Sequence, residues 1–160
     1  MRSHLFDPTE HNVHLNEAIA LAQAIYALHE AGADYSAQLK RLCLISGHPI
    51  HILEVQSAID SISPETFARN VLIDWNGISE NINNEELLEM IDRICNCDGD
   101  EFQMDYWIEC VRVNTRDENV SDLIFWPGTY FGDGDDSRSM SPSEILATAL
   151  ESGSKQLKNN

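Results

Sequence analysis

Six histidines and four cysteines are the residues here whose types could hold a metal or attack a substrate, and their spacing favours neither. His4, His11 and His14 lie near the amino terminus and read as solvated side chains rather than as a ligand set. His48 and His51 flank Pro49, where a turn or packing role suits them better than catalysis. Cys43, Cys95, Cys97 and Cys110 are irregularly spaced. Cys95-Asn96-Cys97 is not Cys-x-x-Cys, and the four read as free thiols. No serine sits in a Gly-x-Ser-x-Gly elbow, and no phosphate-cradling glycine loop follows a strand. One acidic pattern resembles a calcium loop: Asp133, Asp135, Ser137, Ser139, Ser141 and Glu144 fall at about the positions 1, 3, 5, 7, 9 and 12 that such a loop uses. Arg138 occupies the sixth position, where the sharp turn needs glycine, and Pro142 follows the ninth. This stretch reads as a solvated acidic loop; a calcium-dependent regulatory protein is the competing function. No catalytic residue, metal ligand or cofactor is assigned, and the chain is expected not to be an enzyme.

The elements that must position any site are helical. Leu15, Ala18, Ile19, Ala22, Ile25 and Leu28 recur at helical spacing and Gly32 closes the run. Shorter helices follow over about 35–46, with Leu39, Leu42 and Cys43 inward, and around Ile52, Leu53, Val55 and Ile59. Ser63-Pro64-Glu65 is an N-cap with proline at the first helical position, and Phe67, Val71 and Leu72 form the apolar face behind it. Asn76-Gly77 marks a turn, and the chain divides there into modules 1–78 and 79–160.

In the second module Asn83-Asn84-Glu85-Glu86 has capping-box spacing, with Leu87, Leu88, Ile91, Ile94 and Cys95 behind it. A helix over about 102–114 puts Trp107, Ile108 and Val111 in the core. Asp117 to Val120 reads as a polar loop, and Ser121-Asp122-Leu123-Ile124-Phe125-Trp126-Pro127 as one capped helical turn. Residues 128–140 read as loop. Ser141-Pro142-Ser143-Glu144 opens a last helix to about Ser152, before a polar, frayed tail. Adjacent positions on a helical turn point about 100° apart. Phe125 and Trp126 therefore cannot easily share one small core, and at least one should be partly exposed, as interface aromatics are.

A chain of 160 residues holds one or two small domains. Its 42% hydrophobic and 23% charged content excludes bulk disorder. Its apolar runs are too short for a membrane span, and the first eight residues lack the apolar stretch of a secretory signal; a cytoplasmic protein is expected. The net charge is −17, split as −6 over residues 1–80 and −11 over 81–160. Such a surface repels phosphate backbones and anionic lipid and attracts basic partners. Direct nucleic-acid or membrane binding is disfavoured.

Taken together, Ile94-Cys95-Asn96, Ser121-Asp122-Leu123-Ile124-Phe125-Trp126-Pro127, Gly134-Asp135-Asp136 and Ser141-Pro142 resemble the immunity proteins of nuclease colicins and pyocins, in order and approximate spacing, over about residues 79–155. The resemblance implies a four-helix domain with a short third helix that binds a basic bacteriocin nuclease. Such a protein docks beside the active site and excludes nucleic acid by bulk and charge. Carried over by position, Asp122, Phe125 and Trp126 are the shared anchors, with Ser121 opening the stretch. Glu101, Met104, Asp105, Ile108, Glu109 and Arg112, on the preceding helix, would tune partner choice. Phe125 and Trp126 stand where the family has two tyrosines, so two phenolic hydroxyls are lost and one indole donor is gained. Arg112 stands where an acid is common, extra residues precede Ser141, and the final helix lacks the family's tryptophan. Residues 1–78 fall outside the pattern. They read as a stabilising helical scaffold, with a wider toxin contact, the binding of another toxin domain or self-association as alternatives.

Overall fold

The structure is a computed structural model that describes residues 1–135 and 137–156, with only the backbone of Lys155 and Gln156. Asp136, in the acidic loop, and residues 157–160 of the expected frayed tail lie outside the described residues. The protein is all-α. Its helices are α1 (Ser3–Phe6), α2 (Leu15–Glu30), α3 (Ser36–Ser46), α4 (Ile52–Ser61), α5 (Pro64–Leu72), α6 (Asn84–Cys95), α7 (Glu101–Thr115), α8 (Val120–Phe125), α9 (Pro127–Phe131) and α10 (Pro142–Gln156). They fall into two units, Phe6–Trp75 and the combination of Met1–Leu5 with Asn76–Asn160. The single cut expected near residue 78 did not foresee that the first five residues belong with the second half.

In the unit Phe6–Trp75, α2 lies against α3 and α5. Ala18 and Ala22 on α2 and Ala68 on α5 are fully buried; such small side chains let helix backbones approach, and Ile25, Leu42, Phe67 and Val71 fill the remaining space. Ser63 caps α5 as expected, its hydroxyl accepting the Thr66 N–H at 3.0 Å. Arg69 fixes the segment before α2, donating to Asp7 Oδ2 at 3.0 Å and Thr9 Oγ1 at 2.8 Å. The helix expected around Ile52, Leu53, Val55 and Ile59 forms as α4. Ile52 and Leu53 are 53% and 74% exposed, and α4 buries Val55 and Ala58. The apolar run straddles the helix start, and only a stripe spaced by three can face the core.

In the other unit, α7 packs on α6, and α10 packs on both. The capping box at Asn83 forms: its side chain accepts the Glu86 N–H at 3.0 Å, and Glu86 accepts the Asn83 N–H at 3.3 Å. Trp107 is fully buried, and its indole N–H donates to Leu5 O at 2.9 Å. Arg2 forks onto Glu86 through Nε and Nη2 at 2.7 and 2.8 Å. That pairing, helped by the Asn83 cap and opposed by burial, holds the Glu86 carboxyl down to about 2.

Several local readings need correction. The short helix begins at Val120 behind Asn119, so Ser121 is not its cap. Pro127, read as the end of that turn, starts α9, which carries helix into the stretch read as loop, because proline at a first helical position has its φ preset and loses no bonded N–H. Residues Asp117 and Gly153 are buried rather than solvated or frayed. The last helix runs on to Gln156 because Gly153 lies flat on the end of α7: a Cβ there would come 1.9 Å from Thr115 O. Leu88 is half-buried and Cys95 exposed, so α6 faces the core through Leu87, Met90, Ile91 and Ile94.

Two outcomes follow. Gly153→Ala should destabilise by about 2–3 kcal/mol in denaturant unfolding, through overpacking, although alanine is the better helix former by about 1 kcal/mol; a stabilised variant would contradict the contact. Glu86 has a depressed folded pKa, so its contribution is present above its unfolded value near 4.5 and is lost as pH falls toward about 2. Glu86→Gln should therefore lower Tm by about 5 °C at pH 7, and the gap to the unaltered protein should narrow below about pH 4.5 and close only as pH falls to about 2 and below.

Candidate interaction surface

Helix geometry decides which side of α7 is available. Phe102, Gln103, Tyr106, Trp107, Cys110 and Val111 are buried, at spacings of three and four. The opposite stripe is then Glu101, Met104, Asp105, Ile108, Glu109 and Arg112. Glu101 and Asp105 are exposed, and the other four are half-buried. Ile108, expected in the core as well as on this stripe, is among the half-buried ones.

The stripe is acidic, and its one base is already engaged. Arg112 donates to both carboxylate oxygens of Glu109, at 2.7 and 2.5 Å, and to Glu118 at 2.5 Å. These bonds hold the guanidinium well above its ordinary pKa. Asp105 is exposed, yet protein crowds it enough that burial, with Glu101's charge adding, holds its carboxyl above the usual carboxylate range. A cation brought to Asp105 would reverse that shift.

Both neighbouring rings stand out from the surface. Phe125, the last residue of α8, is 43% exposed, and Trp126 is 59% exposed. The helix ends between them: Trp126 leaves helical angles at φ −138° and ψ 60°, and its N–H donates to Asp122 O at 2.7 Å. Leu123 and Val120 hold α8 to the core, Ser121 is exposed, and Asp122 and Ile124 are half-buried. Residues 101–126 hold six acids, Glu101, Asp105, Glu109, Asp117, Glu118 and Asp122, of which Asp117 is buried, against Arg112 and Arg116.

A residue that the sequence reading missed sets this segment in place. Asp117 is fully buried. Its Oδ1 accepts the Asn119 N–H at 3.0 Å and its Oδ2 accepts the Tyr130 hydroxyl at 2.7 Å. One carboxylate thus ties the start of α8 to α9, with both rings between the ties. Burial, above all, pushes the Tyr130 hydroxyl up to about 12. The available signal was an Asp two residues before an Asn at a helix start, a spacing at which an aspartate side chain turns back onto the backbone.

Among the described residues the carboxylates of the calcium-like loop are engaged locally. His4 belongs to one unit, and His11 and His14 to the other. Glu144, at the calcium-loop's last position, instead accepts the Ser141 N–H at 2.8 Å and caps α10; Asp133 takes Arg138, and Asp135 accepts from Ser137. Among the described residues no group of three or more His, Cys, Asp or Glu stands close enough to hold a metal ion, and no helix is long and apolar enough to cross a membrane. No protein-family model, no curated protein and no solved structure matches this chain.

Removing one tie should loosen the segment while removing the rings should not. Tyr130→Phe leaves a buried carboxylate short of a donor and should cost about 1–2 kcal/mol in denaturant unfolding. The Phe125→Ala/Trp126→Ala double variant should stay within about 1 kcal/mol of the unaltered protein; a large loss would mean the rings are structural.

Proposed function

We propose that this protein is an immunity protein: it binds a colicin- or pyocin-like nuclease bacteriocin and silences it inside the producing cell, without chemistry of its own. The observation that carries the reading is the exposure of two adjacent rings at the end of α8, in the same unit as an acidic stripe along α7. A nuclease is basic where it meets phosphate. The −17 charge steers it in and raises the association rate. Phe125 and Trp126, desolvated on docking, slow dissociation. Asp122 and the stripe from Glu101 to Arg112 then distinguish partners, and Asp105 is poised to meet a cation. Bulk and negative charge beside the nuclease centre exclude nucleic acid.

The test is survival and affinity against a panel of bacteriocin nuclease domains of high pI. At least one should be bound with Kd of about 10 nM or tighter, weakening steeply with salt. Phe125→Ala/Trp126→Ala should weaken that complex by at least about 100-fold and abolish protection with helicity intact. Protection that survives the double exchange would overturn the site, and binding carried by charge alone would favour an acidic adaptor for some other basic protein.

A further inference from the structure

A groove of about 410 Å³ opens in the unit Phe6–Trp75, between α4 and α5. Its wall on α4 is one helical face, since residues 54, 57, 58 and 61 are spaced by three and four. Its other wall is α5 with Trp75 beyond it.

The hydrogen-bonding character of this lining is one-sided. The ring donors and the Ser61 hydroxyl are spent on the backbone, and the exposed Ser57 hydroxyl is left over. His48 Nε2 faces Val71 O at 2.9 Å, the Trp75 indole N–H donates to Asn70 O at 3.0 Å, and the Ser61 hydroxyl donates to Ser57 O at 2.7 Å. Two groups that can only accept remain. The Asn70 side-chain oxygen is buried and has no hydrogen-bond partner. Glu54 is exposed on α4 and makes no ion pair with any described residue. The same groove is lined by the aromatic residues Phe67 and Trp75.

A buried acceptor without a donor is a cost that folding normally removes. Turning the Asn70 carboxamide toward the groove would break no hydrogen bond of its oxygen, so a donor arriving there gains an acceptor at little expense. A carboxylate at the rim asks that the donor be charged, and an indole face stabilises a flat cation. A guanidinium meets all three demands: several N–H donors in one plane, permanent charge, and a face that stacks on aromatic rings. An ammonium has the charge but neither the plane nor the stacking surface.

We propose that the α4–α5 groove is a recognition site for an arginine side chain presented by a basic protein partner, with Glu54 pairing the guanidinium, Asn70 accepting one of its N–H groups and Trp75 stacking on it. This assigns a binding role to the first half of the chain. It stands on the groove alone, so it survives or fails independently of Phe125 and Trp126.

The test is NMR of the full-length protein, following the Trp75 indole N–H, which bonds to Asn70 itself. Titration with N-acetyl-arginine amide should shift that resonance saturably, with Kd of about 1 mM for so small a probe. N-acetyl-citrulline amide, of the same shape without charge, should give no saturable shift. Glu54→Gln, a surface change, should weaken arginine binding about tenfold, and Asn70→Leu should weaken it while Tm shows the fold retained. Equal response to citrulline, indifference to Glu54→Gln, or shifts confined to the α7 stripe would overturn the assignment.

Discussion

The fixed orientation of α7 is the constraint on which the surface depends. Its inner face is set by a fully buried Trp107, whose indole bonds to Leu5 O and whose ring leaves no space for a side chain at position 99. A Cβ on Gly99 would come 2.7 Å from that ring. With 3.6 residues per turn, seating Trp107, Tyr106, Cys110 and Val111 inward obliges Glu101, Asp105 and Glu109 to face water. Burial also pushes the Cys110 thiol up to about 12, which keeps it protonated and inert inside the core. The acidic stripe is the far side of a well-packed helix, and it needs no separate device to hold it in register.

Charge is distributed around that core in a consistent way. Arg2 is engaged by Glu86, Arg93 by Glu89 and Asp98, Arg112 by Glu109 and Glu118, and Arg138 by Asp133. Exposed pairs of this kind add little stability each. Their consequence is electrostatic: much of this unit's positive charge is matched internally, and the surplus of carboxylates is what an approaching molecule meets. A field of one sign favours fast encounter with a basic partner at the expense of self-repulsion within the fold. The proposed division of labour, charge for encounter and rings for residence, uses that surplus directly.

What could be read from the residues alone follows from how local each feature is. Helix starts were legible at Ser63, Asn83 and Ser141, because a capping side chain bonds within three residues of itself. The residues Glu101 to Arg112 came only by position from the resemblance, and helix geometry then set them on the outward side of α7; the exposure of at least one of Phe125 and Trp126 followed from their adjacency. Features set by distant contacts were not legible. Nothing near Gly153 announces that Thr115 O lies against it, and nothing near Asp117 announces the Tyr130 hydroxyl thirteen residues on. Ile52, Leu53, Val55 and Ile59 marked a helix, but which face it buries depends on the neighbouring helices, which leave Ile52 and Leu53 exposed and cover Val55 and Ala58. The return of Met1–Leu5 to the second half is of the same long-range kind.

Hydrogen–deuterium exchange on the protein with and without a bound bacteriocin nuclease domain addresses the central claim most directly, since it reports where the partner sits. The account predicts new protection along α7 from Glu101 to Arg112 and across α8 through Trp126, with α6 unchanged. Protection absent from α8, or a complex that leaves both rings as exposed as before, would contradict it.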